Sequence, residues 1–123
     1  MFSHDDEHAH TYDAGSTIFS VDDPADSMFV VLYGVVEIRL NDTVLERVKP
    51  GGIIGEMALI DNKPRSASAV AIEETRLTVV DKKRFLFLVQ NHPYFALQVM
   101  EVLANRLRRM DALLRNGVAT NPA

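Results

Sequence analysis

The sequence predicts a mainly β fold followed by helices: an antiparallel barrel or roll over about residues 12–80, then two helices over about residues 82–116. Three observations carry this. Short β-branched and apolar runs alternate with turn-forming residues up to residue 80. From Asp81 onward the apolar residues change to helical spacing. The 123 residues contain no cysteine, so a packed core must hold the chain without disulfides, and this length suffices for one domain over 1–123.

In chain order, residues 1–10 are polar and acidic, unlike a secretory signal, and are expected to be loose. Residues 17–21 read as a strand, ended by Asp22-Asp23-Pro24-Ala25-Asp26, a run of turn formers. Residues 28–33 are mostly apolar, and 35–40 set Val36, Ile38 and Leu40 against Glu37 and Arg39. Gly34 between them marks a tight bend or a close crossing. Asn41-Asp42 opens a hairpin into 44–48. Residues 67–72 and 76–80 form two further strands, joined near Glu73-Glu74. Seven or eight short strands at this spacing suit an antiparallel barrel or roll. Asp81 is placed to cap a helix over 82–90, and Pro93 suits the first turn of a second. That helix is expected to stop at Asn116-Gly117, with a frayed end over 119–123.

The chemistry is concentrated in residues 51–69. Glycines lead into Gly55-Glu56-Met57-Ala58-Leu59, whose composition suits one helical turn, and Arg65 follows nine residues after Glu56. Main-chain N–H groups at such a turn attract an anion, and glycine lets a ligand approach them. Arginine adds a planar fork of donors that matches phosphate oxygens. A carboxylate in the same segment repels phosphate but accepts hydrogen bonds from sugar hydroxyls. The combination points to a sugar phosphate, most naturally a nucleotide.

These residues resemble the phosphate-binding cassette of the cyclic nucleotide-binding domain family, the domain of catabolite activators, protein kinase regulatory subunits and cyclic nucleotide-gated channels. The family pattern appears as Ile54-Gly55-Glu56-Met57-Ala58-Leu59, a loop, then Pro64-Arg65-Ser66-Ala67-Ser68. Upstream, Ala14-Gly15-Ser16-Thr17-Ile18-Phe19 and the stretch from Asp23 to Gly34 match its early strands, and the resemblance covers about residues 12–116. It implies an antiparallel β-roll (a double-stranded β-helix, jelly-roll-like) with C-terminal helices, binding cAMP or cGMP as ligand and needing no cofactor. Arg65 would hold the cyclic phosphate and Glu56 the ribose 2′-hydroxyl. Gly55, Met57 and Ala58 would offer main-chain groups, with Ala67 beside them. Ser66 would reach the phosphate or the purine edge, or serve only as a small strand residue, and it leaves cAMP and cGMP both open. Three positions depart from the pattern: Asp22 and Ile54 stand for a usual glycine and aromatic, and Gly52 for a usual acid.

In the last helix Met100, Leu103, Leu107, Met110 and Leu114 are spaced three and four apart. Core packing is the leading reading. The resemblance adds two more: a lid that moves over the base, and a homodimer seam. Arg106, Arg109, Met110 and Asp111 are the candidates to contact the base. The three arginines Arg106, Arg108 and Arg109 otherwise form a solvated face near a helix C-terminus.

Other classes fit less well. His4, His8 and His10 lack the later ligands that a cupin-type metal enzyme needs, no nucleophile–base pairing is evident, and no enzyme activity or metal is expected. The net charge of -4 argues against direct nucleic-acid binding, and no run is long enough for membrane insertion. The absence of cysteine fits a cytoplasmic location. The expectation is a stand-alone sensor that signals through its last helix to an unidentified effector protein or a missing effector domain. The alternative is a nucleotide-independent interaction or dimerisation module of the same fold.

Overall fold

The computed structural model describes residues 2–120, with side chains through residue 115. The chain divides between Leu86 and Phe87 into two compact units. Eight strands make up the first: β1 Ala9–Tyr12, β2 Thr17–Phe19, β3 Ser27–Tyr33, β4 Val36–Leu40, β5 Thr43–Val48, β6 Ile53–Ile54, β7 Ser68–Ala71 and β8 Thr75–Asp81. They form two four-stranded sheets, ordered β1-β8-β3-β6 and β2-β7-β4-β5. Every pairing is antiparallel.

The core lies where the inner faces of both sheets meet. Phe29, Val31, Ile54 and Leu77 come from the first sheet, and Val36, Val48 and Ala69 from the second. Strand β3 is buried along six of its seven residues, which explains why its sequence is nearly continuous in apolar residues rather than alternating. The hairpin turn at Asn41-Asp42 is two residues long, with Asn41 at φ 56° and Leu40 opposite Thr43. Asp22, standing where the family pattern has glycine, adopts φ 73°, a conformation that aspartate tolerates better than most residues.

Strand β4 departs from simple alternation. Val36 is fully buried as expected, but Glu37 is only 4% exposed. Arg39 donates to its Oε1 from Nε and Nη2 (2.9 and 2.7 Å), and Arg47, its cross-strand partner, donates to Oε2 at 2.8 Å. Two guanidinium groups therefore cover a carboxylate on the polar face and satisfy its acceptors.

The N-terminal segment is not loose. Asp6 forms an ion pair with Arg84 and accepts hydrogen bonds from His8 N (2.8 Å) and Thr78 Oγ1 (3.0 Å). Arg76 donates to His4 O at 2.7 Å and Thr11 Oγ1 at 2.8 Å, and β1 pairs along β8. Burial pushes the Asp6 carboxyl up, but hydrogen bonds from His8, Arg84 and Thr78 outweigh it and hold the group below its ordinary 3.8. A depressed folded-state value means that this contribution is present above the unfolded pKa and is lost as pH falls through the folded one. Asp6→Asn is expected to destabilise the protein by about 1 kcal/mol at pH 7, since the pair is close to solvent. Chemical denaturation across pH checks this: the gap to wild type should narrow as acid protonates the Asp6 carboxylate, and a gap that does not change on acidification contradicts the assignment.

Helix α1, Lys82–Asn91, starts as expected, with Arg84 N donating to Asp81 Oδ1 at 2.7 Å. Helix α2, Pro93–Thr120, begins at the proline but runs past Asn116-Gly117 instead of ending there. One glycine inside a long helix costs only about 1 kcal/mol, so the stop signal is overridden. Residues 121–123 of the expected frayed end lie outside the described residues. Along α2, Met100, Leu107, Met110 and Leu114 are each more than half exposed. Leu103 alone of the five is half-buried. No helix of the described residues is long and apolar enough to cross a membrane.

Candidate functional site

Strand β6 delivers the chain to Gly55, which takes the left-handed conformation (φ 70°, ψ 21°) and starts a 3₁₀ turn over Glu56–Leu59. Ala58 N donates back to Gly55 O at 3.2 Å, and Ile60 N and Asp61 N both donate to Met57 O at 3.0 Å. The expected single helical turn is therefore present, in its tighter form. Glu56 and Ala58 are buried, whereas Met57 is 47% exposed.

The loop after the turn brings Arg65 back against this corner. Its backbone is pinned to the β2–β3 turn: Asp22 N donates to Arg65 O at 2.8 Å, and Arg65 N donates to Asp23 O at 2.9 Å. Ser68 Oγ accepts from Val21 N at 2.9 Å and ties the same turn to β7. The Arg65 side chain is 8% exposed. Its Nη1 donates to Gly55 O at 3.1 Å and its Nη2 to Ser27 O at 2.8 Å, while Cζ lies 4.2 Å from the Phe19 ring centroid. Nε is buried and has no hydrogen-bond partner among the described residues.

A Cβ at Gly55 would collide with Arg65 Nη1 and would lie 3.3 Å from Cζ. Only glycine both accepts this backbone conformation and leaves room for the guanidinium. Burial pushes the Arg65 pKa below its ordinary value, opposed by the charges of Asp26, Asp23 and Glu56. Arginine nevertheless stays protonated, so the corner holds a desolvated cation.

Gly55, Glu56, Met57, Ala58 and Arg65 are thus brought into one corner. Ala67 is buried just after Arg65, and Ser66 between them is exposed. Arg106, Arg109, Met110 and Asp111 lie on α2, in the other compact unit. Arg106 is half-buried and the other three are exposed. Sequence reasoning missed Phe19, which it read only as a strand residue, and Ser27, which acts through a carbonyl that any residue possesses.

The model of the cyclic nucleotide-binding domain family matches residues 9–92, which include both sheets and the whole corner. The chain belongs to this family. The Cyclic AMP receptor protein of Thermus thermophilus is 34% identical over 81% of this chain and 49% of its own length. A CRP-like cAMP-activated global transcriptional regulator of Mycobacterium tuberculosis is 29% identical over 87% of this chain and 50% of its own. The chain therefore spans about half the length of these curated relatives. Among solved structures, the Thermus thermophilus Catabolite Activator Protein superimposes with a TM-score of 0.77, at 34% identity, over 87% of this chain and 53% of that one. The cAMP-bound form of EAL enzyme Bd1971 gives 0.63, at 36% identity, over 85% of this chain and 29% of that one. This cyclic nucleotide-binding domain thus has the antiparallel β-roll with C-terminal helices that its sequence implies.

Proposed function

We propose that the chain is a regulatory rather than catalytic domain that binds cAMP or cGMP at the Gly55–Arg65 corner. The observation that carries this reading is the buried Arg65 guanidinium, fixed by two carbonyls and an aromatic ring yet left with an orphaned Nε. A buried donor without a partner costs about 1–3 kcal/mol, and an anion seated in the corner would supply acceptors to the guanidinium. In this reading Arg65 and the main chain of Gly55, Met57 and Ala58 hold the ring phosphate, with Ser66 and Ala67 beside it. Glu56 accepts from the ribose 2′-hydroxyl. The base is assigned to α2, with Arg106, Arg109, Met110 and Asp111 as candidates on the family resemblance. The Bd1971 relative is known in cAMP-bound and cGMP-bound forms, so both nucleotides are retained here.

The Glu56 assignment gives a direct test. Thermal-shift titration should show stabilisation by a 3′,5′-cyclic nucleotide, reaching about 2.7 kcal/mol at a hundred times its dissociation constant. The 2′-deoxy analogue should bind about tenfold more weakly, the loss of one hydrogen bond to a charged acceptor. Equal binding of the two contradicts the role of Glu56, and no stabilisation by either nucleotide favours the nucleotide-independent module.

The exposed stripe on α2 supports a second, compatible element: self-association through Met100, Leu107, Met110 and Leu114. Sedimentation should then find a dimer, which Leu107→Asp converts to monomer. A wild-type chain that stays monomeric at about 100 μM, too weak an association to matter against typical dissociation constants, rejects the seam. Ligand would act by favouring whichever state of α2 it binds more tightly, and so pass its signal to an effector protein or domain.

A further inference from the structure

We propose that Phe19 is a positioning residue of this site, its ring the platform that supports the Arg65 guanidinium and holds it facing the anion. The inference rests on the nucleotide reading above and deepens it. Arg65 Cζ lies 4.2 Å from the Phe19 centroid, well inside the distance at which a cation is attracted to a ring face. Phe29 stacks on Phe19 at 6.0 Å with an interplanar angle of 27°, and its own centroid is 5.7 Å from Cζ. The two rings therefore brace one another, and Phe19 packs against the core through this contact rather than as an isolated side chain.

The position of Gly55 corroborates this arrangement. A Cβ there would meet both the guanidinium and Phe19 Cε2, the latter at 3.4 Å. Glycine, arginine and phenylalanine thus share one cradle. The ring is also needed because of what surrounds it. Asp23, Asp26 and Glu56 all act on the Arg65 charge. Without a favourable surface on its face, a long arginine side chain would be drawn toward those carboxylates, and nucleotide would have to pull it back. A guanidinium already held over the ring, with Nη1 and Nη2 tied to Gly55 O and Ser27 O, meets the phosphate without that reorganisation.

The test replaces Phe19 by leucine, by tyrosine and by ring-fluorinated phenylalanines, which keep the shape but drain the negative face of the ring. Nucleotide affinity, thermal stability and discrimination between the two phosphorothioate diastereomers of the cyclic nucleotide are measured for each. Increasing fluorination should weaken binding stepwise, to about five- to tenfold for the fully fluorinated ring, with Phe19→Tyr within about twofold of wild type. Phe19→Leu should lose about tenfold and much of the diastereomer discrimination, because a guanidinium out of place no longer reads which exocyclic oxygen is sulfur. A fluorinated series that binds like wild type overturns the proposal, even where Phe19→Leu fails to fold. Wild-type binding with unchanged variants removes only Phe19, whereas a wild-type chain that binds neither nucleotide overturns the nucleotide reading and this role with it.

Discussion

Arg65→Ala is expected to cost about 2–5 kcal/mol of cyclic nucleotide affinity, the range for stripping one partner from a buried charge pair. The guanidinium is almost entirely excluded from water, so no solvent shell is on hand to take its place against an anion. The substitution also removes the donors to Gly55 O and Ser27 O, which should lower stability by about 1–3 kcal/mol. Affinity is therefore to be measured where thermal melting shows the variant folded. Arg65→Lys separates charge from shape. It keeps the cation but loses the planar fork and the stacking face, so it should recover only part of the affinity. Less than a threefold loss in Arg65→Ala, by calorimetric titration at fixed salt, removes Arg65 from the site.

Gly34→Ala is expected to destabilise the fold by about 3 kcal/mol, the sum of a left-handed residue and an overpacked contact. Gly34 has φ 88°, and a Cβ there would lie 2.5 Å from Glu74 O and 2.6 Å from Thr75 Cα, besides striking the Thr75 hydroxyl. Two of these neighbours are backbone, which cannot swing aside. Thr75 is itself fully buried, and its hydroxyl is engaged with Glu73 O at 2.9 Å and Val35 O at 3.3 Å. For a domain of this size the melting temperature should fall by about 10 °C or more. A variant within about 1 °C of wild type means that the β3–β4 connection relaxes freely, contrary to the packing described.

How far the sequence reveals this structure depends on how local each signal is. Strands β3, β4, β5, β7 and β8 were legible because apolar runs or alternation meet turn residues at their ends, and the start of α1 because Asp81 caps it directly. Strand β1 was not legible. Ala9-His10-Thr11-Tyr12 carries little apolar pattern, and it is ordered by pairing with β8 and by Arg76, which donates to Thr11 Oγ1, while Arg84 holds Asp6 just before it; all of these partners are distant in sequence. The end of α2 was misplaced because a single glycine is a weak stop. In the site, the Gly55–Arg65 corner was legible because its residue types are chemically distinctive. Its supports were not, since a phenylalanine in a short strand and the carbonyl of Ser27 look like any others until the chain has folded around Arg65.

The central claim is that one buried cation, presented by Gly55 and Arg65, captures a cyclic phosphodiester. Isothermal titration of the folded wild-type chain with cAMP and with cGMP tests it most directly. Saturable heat with one site per chain for at least one nucleotide is the expected result, and Arg65→Ala should abolish or greatly weaken it. No heat from either nucleotide at millimolar concentration, about the −4.1 kcal/mol limit of detectable binding, contradicts the account.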